Sequence, residues 1–276
     1  MHSIAFLAII LLMSTTAGVN DNSHSHSNSD PCFSENNAFT AGEEITYKIY
    51  YNWGVMWIPA GEVVFKTEDH GDLFHISATG RTYSTYEWFF KVRDKYEVFV
   101  DKATLLPVTS IRNVREGGYK LYDKIEFNQQ ENKLTSLRGK TKETAVLRPF
   151  EVDACMHDVL SIVYHARNIK FDNYDSGDEF PIKIFMDKEV WPLKVKYKGK
   201  ESKKKIKGSG RFNTIKFSPE VIVGDVFTKD AKMNIWVTDD ANKIPLLIES
   251  PVSVGSIKVV LKDYKNLRHE MTSKSK

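Results

Sequence analysis

Short segments in which large apolar side chains alternate with polar ones constrain the fold of this chain more than any other feature. Residues 45–51 show the pattern most clearly, as Ile-Thr-Tyr-Lys-Ile-Tyr-Tyr. Alternation with a period of two is typical of a strand that buries one face. Similar segments recur at 63–67, 74–79, 95–100, 108–115, 119–127, 182–186, 193–197, 214–217, 233–237, 245–249 and 256–261.

Turn-forming sequences separate many of these segments. Gly117 and Gly118 lie between two alternating runs, and paired glycines accept the positive φ angles of tight hairpin turns. Many short strands in close succession favour an antiparallel meander. The sequence therefore predicts a mainly β protein whose sheet is curled into a barrel-like shape or folded as a sandwich.

One segment follows a different period. From residue 153 to residue 168, apolar side chains fall at positions 155, 159, 162, 163 and 166, which is the spacing of one helix face. Asp153 is a suitable N-cap, and Asn168 lies near the expected end. We predict one central α-helix over about 153–168, packed on the sheet of a single β-rich domain at 38–266, with a polar tail at 267–276. Two β lobes, one on each side of the helix, are the alternative.

The N-terminus predicts export. Residues 4–13 form an apolar run that has the length of a secretory signal and is too short to cross a bilayer of about 30 Å as a helix. Thr15 and Ala17 have the spacing of a cleavage site. We predict a signal peptide at 1–17, a flexible polar leader at 18–37 and a periplasmic or extracellular mature protein. No later apolar run has the length of a transmembrane helix.

Cys32 and Cys155 are the two cysteines of the chain. Disulfides persist in oxidising compartments, so we predict that these residues are bridged, with two separate thiols as the alternative. His24 and His26 lie in the leader without a third fixed ligand, and neither a metal site nor another cofactor is predicted. The net charge of +3 is small and no basic, aromatic reader module occurs, so nucleic acid is not an expected partner.

Several motifs in the chain resemble those of a known family. They read Phe-Thr-Ala-Gly-Glu-Glu-Ile-Thr-Tyr at 39–47, Trp-Ile-Pro-Ala-Gly-Glu at 57–62, His-Asp-Val-Leu-Ser at 157–161, Trp-Val-Thr-Asp-Asp at 236–240 and Ile-Glu-Ser-Pro-Val-Ser-Val-Gly-Ser at 248–256. Together they are similar to an uncharacterised family of exported bacterial proteins, the domain of unknown function 3108, over about residues 39–261. The resemblance implies family membership and no activity or catalytic residues.

A hydrolytic site has two candidate sources in the sequence. The predicted helix places His157, Ser161 and His165 one turn apart, with Asp158 beside them. No G-x-S-x-G nucleophile turn occurs, so packing is the favoured role of these residues and none is predicted to be catalytic. The carboxylates on which a glycan hydrolase would draw are Glu43, Glu44, Glu62, Asp239, Asp240 and Glu249. Structural roles are favoured for these as well.

A row of lysines marks one predicted strand. Lys194, Lys196 and Lys198 alternate with Val195 and Tyr197, which places the three ammonium groups on one strand face. The plainer interpretation is a solvated hairpin whose lysines discourage edge-to-edge pairing. The functional interpretation is an anion-binding ridge for lipid headgroups, lipid A phosphates or acidic glycans.

Aromatic residues gather near the start of the domain. Core packing accounts for most of them, but in a curled sheet Tyr50, Trp53 and Trp57 would rim an apolar cavity. We therefore predict an exported, non-enzymatic cell-envelope protein that binds an apolar or amphipathic partner, such as lipid or an envelope component. The alternatives are a glycan-directed hydrolase and a structural module of the envelope.

Overall fold

The computed structural model describes residues 32, 34–53, 56–88, 90–220, 232–252 and 255–275 of the 276-residue chain. The predicted signal peptide and most of the predicted leader lie outside these residues. The structural statements below concern the described residues.

The described part of the chain contains fifteen strands, one α-helix and two short 3-10 helices at Ser84–Tyr86 and Lys142–Thr144. The strands are β1 (Glu44–Trp53), β2 (Met56–His70), β3 (Leu73–Thr82), β4 (Arg93–Asp101), β5 (Pro107–Glu116), β6 (Tyr119–Asn128), β7 (Lys133–Gly139), β8 (Val146–Glu151), β9 (Glu179–Met186), β10 (Glu189–Ile206), β11 (Gly210–Pro219), β12 (Asn234–Thr238), β13 (Pro245–Pro251), β14 (Ser256–Lys265) and β15 (Lys274–Ser275). The helix, α1, spans Ser161–Ala166. Every segment predicted from alternation overlaps one of these strands, which confirms the mainly β fold.

All fifteen strands belong to one antiparallel sheet. One meander runs from β1 to β8, a second runs from β9 to β14, and the two meet where β1 pairs with β14. The hydrogen-bonded path through the described strands runs from β8 to β9 without closing. The short strand β15 pairs with β11 beside this path.

The gap between the two ends of the sheet is filled by side chains and by the connection from β8 to β9. The rings of Phe150 on β8 and Phe185 on β9 lie 5.0 Å apart. In the connection, the backbone carbonyl of His157 accepts a hydrogen bond from the N–H of Phe185 at 2.8 Å. The sheet is therefore curled into the barrel-like shape that the sequence predicts, and the edge of β9 is protected from pairing with other chains.

A disulfide joins Cys32 to Cys155, with the two Cα atoms 5.1 Å apart. This is the predicted pairing. Because Cys155 lies in the connection between β8 and β9, the bond holds the chain near Cys32 against the gap in the sheet.

The helix is shorter than predicted. Residues 153–160 form turns and a backbone bridge to β9 in place of the first helical turns. Asp153 is exposed, and the carboxylate that accepts the backbone N–H of Ser161 belongs to Asp158, at 2.9 Å. Pairing of His157 with β9 thus competes with helix formation, and the helix begins only after it. No described helix has the length and apolarity needed to cross a membrane.

Alternation does not predict β7, β8 or β15. The buried face of β7 carries Leu134, Ser136 and Arg138, so polar side chains stand where the pattern requires apolar ones. β8 is exposed along most of its length, and β15 has two residues. The period-two signal needs a buried apolar face, and these strands lack one.

The two meanders bury different side chains. The buried face of β9–β14 is almost wholly apolar, whereas β4–β7 bury Asp94, Arg112, Glu116, Asp123 and Ser136 among their apolar residues. This division gives the molecule an apolar part and a polar part, and each holds a candidate site.

Candidate functional site

An apolar cavity of about 160 Å³ lies between the helix region and the buried face of β9–β14, β1 and β2. It is partly open to the outside. In other proteins an apolar cavity of about 150 Å³ stays free of water and accepts a molecule the size of benzene. The cavity is therefore large enough for a small ring or a short stretch of acyl chain.

A ladder of cross-strand neighbours forms one wall of this cavity. Phe217 on β11 lies opposite Ile235 on β12, which lies opposite Ile248 on β13, which in turn lies opposite Val259 on β14. Directly opposed residues of antiparallel strands share one face of the sheet, and all four line the cavity. The alternation that specifies the strands therefore also specifies this wall.

The opposite wall comes from α1 and its flanking residues. Ile162 and Val163 on α1 line the cavity, together with Val159 from the turn before the helix. Phe171, just beyond the helix, packs against Phe217 with 4.7 Å between the ring centroids. The helix thus covers the cavity and leaves it partly open.

Arg167 stands at one end of the cavity with its charge already neutralised. Its guanidinium donates to both carboxylate oxygens of Glu43, at 2.6 and 2.8 Å, and to the carbonyl of Asn242 at 2.9 Å. The Arg167 side chain is 4% exposed. A bidentate pair of this kind fixes geometry strongly, so Arg167 anchors the end of α1 to the residue that precedes β1 and does not offer a free charge to a ligand.

Lys243 is the second cation on the cavity lining. Within the described residues its ammonium group has no hydrogen bond or ion pair, and burial lowers its pKa, against the opposing influence of Asp172 and Asp240. The lysine is half-buried. It provides a polar position beside an otherwise apolar space, which suits a ligand with one polar end.

Tyr50, Trp53 and Trp57, the predicted aromatic rim, are not among the described residues that line this cavity. The ammonium of Lys207 lies 5.2 Å from the ring centroid of Tyr50, and that of Lys258 lies 4.3 Å from Trp57. Trp53 ends β1, and its side chain lies outside the described part of the structure. Ligand binding by these three residues stays a prediction.

The predicted lysine ridge has the expected geometry. Lys194, Lys196 and Lys198 alternate with buried residues along β10. The ammonium groups of Lys194 and Lys196 lie 3.8 and 3.5 Å from the carboxylate of Glu179 on β9, which offsets part of the positive charge. Anion binding by the ridge stays a prediction.

Of the residues considered for a serine hydrolase, His157, Asp158 and Ser161 are buried and His165 is half-buried. His157 Nδ1 lies 3.1 Å from Ser161 Oγ, and the rings of His157 and His165 are 4.6 Å apart. His157 is 4% exposed and Ser161 is 1% exposed, and burial holds the pKa of His157 well below its usual value. Asp158 bonds backbone N–H groups at the helix start. These contacts support the packing role.

Most of the carboxylates considered for glycan hydrolysis form ion pairs with lysine or arginine. Glu62 accepts hydrogen bonds from Arg81 at 2.7 Å and Lys262 at 2.9 Å, and these bonds hold its pKa below the usual value. A general acid requires a raised pKa. Glu43, Glu44, Asp239 and Glu249 also form ion pairs, and Asp240 accepts hydrogen bonds from its own turn.

A buried charge network on β5–β7 was not predicted. Asp123 accepts hydrogen bonds from Arg112 at 2.7 Å, Arg138 at 2.7 Å and Ser136 at 2.8 Å. Asp187, in the turn between β9 and β10, bonds Arg112 at 2.8 Å. The available signal was that Arg112 and Asp123 occupy apolar-face positions of alternating segments, but their partners lie on other strands and cannot be found by periodicity.

Asp94 and Glu116 form a second buried polar group in the same part. Asp94 Oδ2, both carboxylate oxygens of Glu116 and the hydroxyl of Tyr96 are buried without a hydrogen-bond partner in the described residues. Burial, followed by the charge of Glu116, raises the pKa of Asp94 to about 8. Asp94 therefore holds its proton to a higher pH than an ordinary aspartate does.

Comparison with known proteins identifies a matching family and a similar fold. The model of a family described as a protein of unknown function, DUF3108, matches residues 46–262. No curated protein matches the chain.

Solved structures of three bacterial proteins are similar to this chain. A β-barrel-like protein of the domain of unknown function DUF1849 from Brucella abortus has a TM-score of 0.54 at 9% identity, covering 83% of this chain and 99% of that one. A candidate exported protein with a YmcC-like fold from Bacteroides fragilis has a TM-score of 0.33 at 12% identity, with coverages of 85% and 100%. A candidate lipoprotein from Parabacteroides distasonis has a TM-score of 0.29 at 12% identity, with coverages of 84% and 99%. The first likeness shows a shared barrel-like fold.

Proposed function

The chain belongs to the DUF3108 family of proteins of unknown function, and we propose that it is an exported protein that binds the apolar part of an amphipathic ligand in the cavity beneath α1. The observation that carries this proposal is the partly open, almost wholly apolar space of about 160 Å³. Protein interiors are otherwise close-packed, and an empty cavity lowers stability in proportion to its volume. A ligand that fills the space would recover that stability.

The lining defines the chemical class of the ligand. The apolar walls fit a small ring or part of an acyl chain, and Lys243 offers a cationic position for a polar or anionic end. Arg167 does not compete for that end because Glu43 neutralises it. A fatty acid or a lysolipid has both features. The carboxylates and the buried His157–Ser161 pair give a hydrolytic function no comparable support.

Two features support export. The apolar run at 4–13, followed by Thr15 and Ala17, has the pattern of a cleaved signal. The disulfide between Cys32 and Cys155 is typical of proteins that fold in an oxidising compartment. A ligand from the cell envelope would be accessible to such a protein.

Calorimetric titration with dodecanoate tests the proposal. Ile182 lines the cavity and is half-buried, so Ile182→Trp should fill the space and abolish binding. Val108→Trp is the matched control because Val108 is 41% exposed on β5, and it should bind like the wild type. Thermal unfolding of each variant checks that the fold is intact.

Equal binding by the wild type and Ile182→Trp would place the ligand elsewhere and contradict the proposal. Absence of binding to the wild type, for dodecanoate and for a lysolipid alike, would contradict it as well.

A further inference from the structure

A second depression, which we call the basic groove, lies in the polar part of the molecule. It has a volume of about 340 Å³ and lies where the buried face of β6–β8 becomes exposed at the end of the sheet. Arg148 on β8 lies opposite Ser136 on β7 and so shares its face. Because β8 is the last strand of the path, Arg148 is exposed. Lys188, in the turn between β9 and β10, also lines the groove.

The lining of the groove carries positive charge alone. Its cations are Lys120, Arg138, Lys140, Arg148 and Lys188, and no aspartate or glutamate is among the described lining residues. Arg138 is neutralised, since it bonds Asp123 and Asp187 at 2.7 Å each. The other four have no ion pair with any residue in the described part of the chain. The groove therefore holds a local excess of four positive charges.

This arrangement differs from that of the lysine ridge. On the ridge, Glu179 lies within 4 Å of Lys194 and Lys196, and the lysines project from an open strand. In the groove, the four unpaired cations are among the residues that line a concave space. A concave surface with charge of one sign concentrates counter-ions more strongly than a flat one.

We propose that the basic groove binds a group that carries two or more phosphate charges. A single carboxylate would leave most of the four cations unmatched, whereas a phosphate monoester or pyrophosphate supplies charge and acceptor oxygens for several of them. Arginine binds phosphate oxygens through two parallel N–H donors, and lysine binds them as a point charge. A volume of about 340 Å³ lies within the range of small-molecule sites.

Calorimetric titration of the full chain with inorganic pyrophosphate tests this inference. The double variant Arg148→Gln/Lys188→Gln should bind pyrophosphate at least about tenfold more weakly, because each lost charge-assisted hydrogen bond accounts for about a factor of ten. The matched control is Lys194→Gln/Lys196→Gln, which removes the same charge from the ridge and should keep wild-type affinity. Ile182→Trp should also bind normally, so failure of the cavity proposal would not affect this result.

A second measurement distinguishes a lipid-borne phosphate from a soluble one. Phosphatidylcholine vesicles with and without phosphatidic acid are floated with the wild type and the groove variant. Recruitment that needs both phosphatidic acid and the groove cations supports a lipid-borne phosphate, and binding of pyrophosphate without recruitment supports a soluble one. The inference is wrong if pyrophosphate does not bind, or if the ridge variant weakens binding as much as the groove variant does.

Discussion

The polar and apolar parts of the sheet are built from the same kind of strand but differ in the side chains that their buried faces carry. In β9–β14 the buried face is apolar, and the chain leaves part of the space beneath α1 unfilled. In β4–β7 the buried face carries charges, and Asp123 and Asp187 neutralise Arg112 and Arg138 through short hydrogen bonds. An apolar wall tolerates a gap, whereas a buried charge requires a partner in a fixed position.

The difference indicates which part of the molecule can adapt to ligands of different shapes. Apolar contacts are not directional, so the cavity can enclose apolar groups of various shapes. The charge network is directional, and removal of one partner leaves another charge buried and unpaired. We therefore expect the polar part to be the rigid one, and the following predictions test that contrast.

The largest effect is expected for Asp123→Asn. Asp123 is 1% exposed and accepts hydrogen bonds from three side chains, and breaking a buried ion pair costs about 3–5 kcal/mol. Urea unfolding followed by circular dichroism should show a loss of this size. Glu249→Gln is the control, since its pair with Lys258 is about one-third exposed and should contribute less than about 1 kcal/mol. Similar losses for both variants would contradict the contrast.

An intermediate, pH-dependent effect is expected for Asp94→Asn. The pKa of Asp94 is raised to about 8 from 3.8, so between these values the folded protein holds a proton that the unfolded chain has released. The free energy of unfolding of the wild type should therefore fall as pH rises through this window. Asparagine carries no charge, and the variant should exceed the wild type by about 1–3 kcal/mol above pH 8.

The measurement is urea unfolding at about pH 5 and about pH 9. The advantage of Asp94→Asn should shrink at the lower pH, where the Asp94 carboxyl of the wild type is already protonated. Replacing the exposed Glu126 on β6 with glutamine should leave the pH dependence unchanged. An advantage of the same size at both pH values would show that Asp94 titrates normally.

The same contrast explains which strands could be predicted from the sequence. The cavity wall is built by Phe217, Ile235, Ile248 and Val259, and each lies in a segment that alternation predicts. β7 escapes prediction because Ser136 and Arg138 stand at its buried positions, where only a partner such as Asp123 makes them acceptable. Periodicity reports the polarity of a face and contains no information about partners on distant strands.

Less of the candidate site than of the fold can be predicted from the sequence, for a related reason. A cavity depends on the volume left between α1 and the sheet, and the sequence does not encode that volume in any local pattern. The helix also begins later than predicted because the backbone of His157 bonds β9, and this tertiary contact is invisible to a helical apolar stripe. The basic groove depends on β8 and on the β9–β10 turn, so it could not be found before the end of the sheet was known.

The smallest effect is expected for a pair of isoleucine-to-valine substitutions. Ile125 on β6 is 2% exposed in a filled part of the core, so Ile125→Val should cost about 0.5–1.5 kcal/mol. Ile235 on β12 is half-buried and faces the cavity, so Ile235→Val should cost less than about 0.5 kcal/mol. Chemical denaturation of both variants without ligand measures which substitution lowers the free energy of unfolding more. A larger cost for Ile235→Val would mean that the cavity wall is packed as tightly as the core.

The pairing of β1 with both β2 and β14 has a consequence for the time course of folding. Glu44 lies opposite Lys66 on β2 and also opposite Lys265 on β14, and Glu44 and Lys265 are 221 residues apart in the chain. β1 precedes β14 by about 200 residues in the chain, so wherever the chain emerges N-terminus first, one edge of β1 has no partner until the chain is nearly complete. Contacts so distant in sequence slow folding, and an unpaired edge in the meantime favours association with other chains. The joining of the two meanders is therefore the step at which a chaperone would have most to protect.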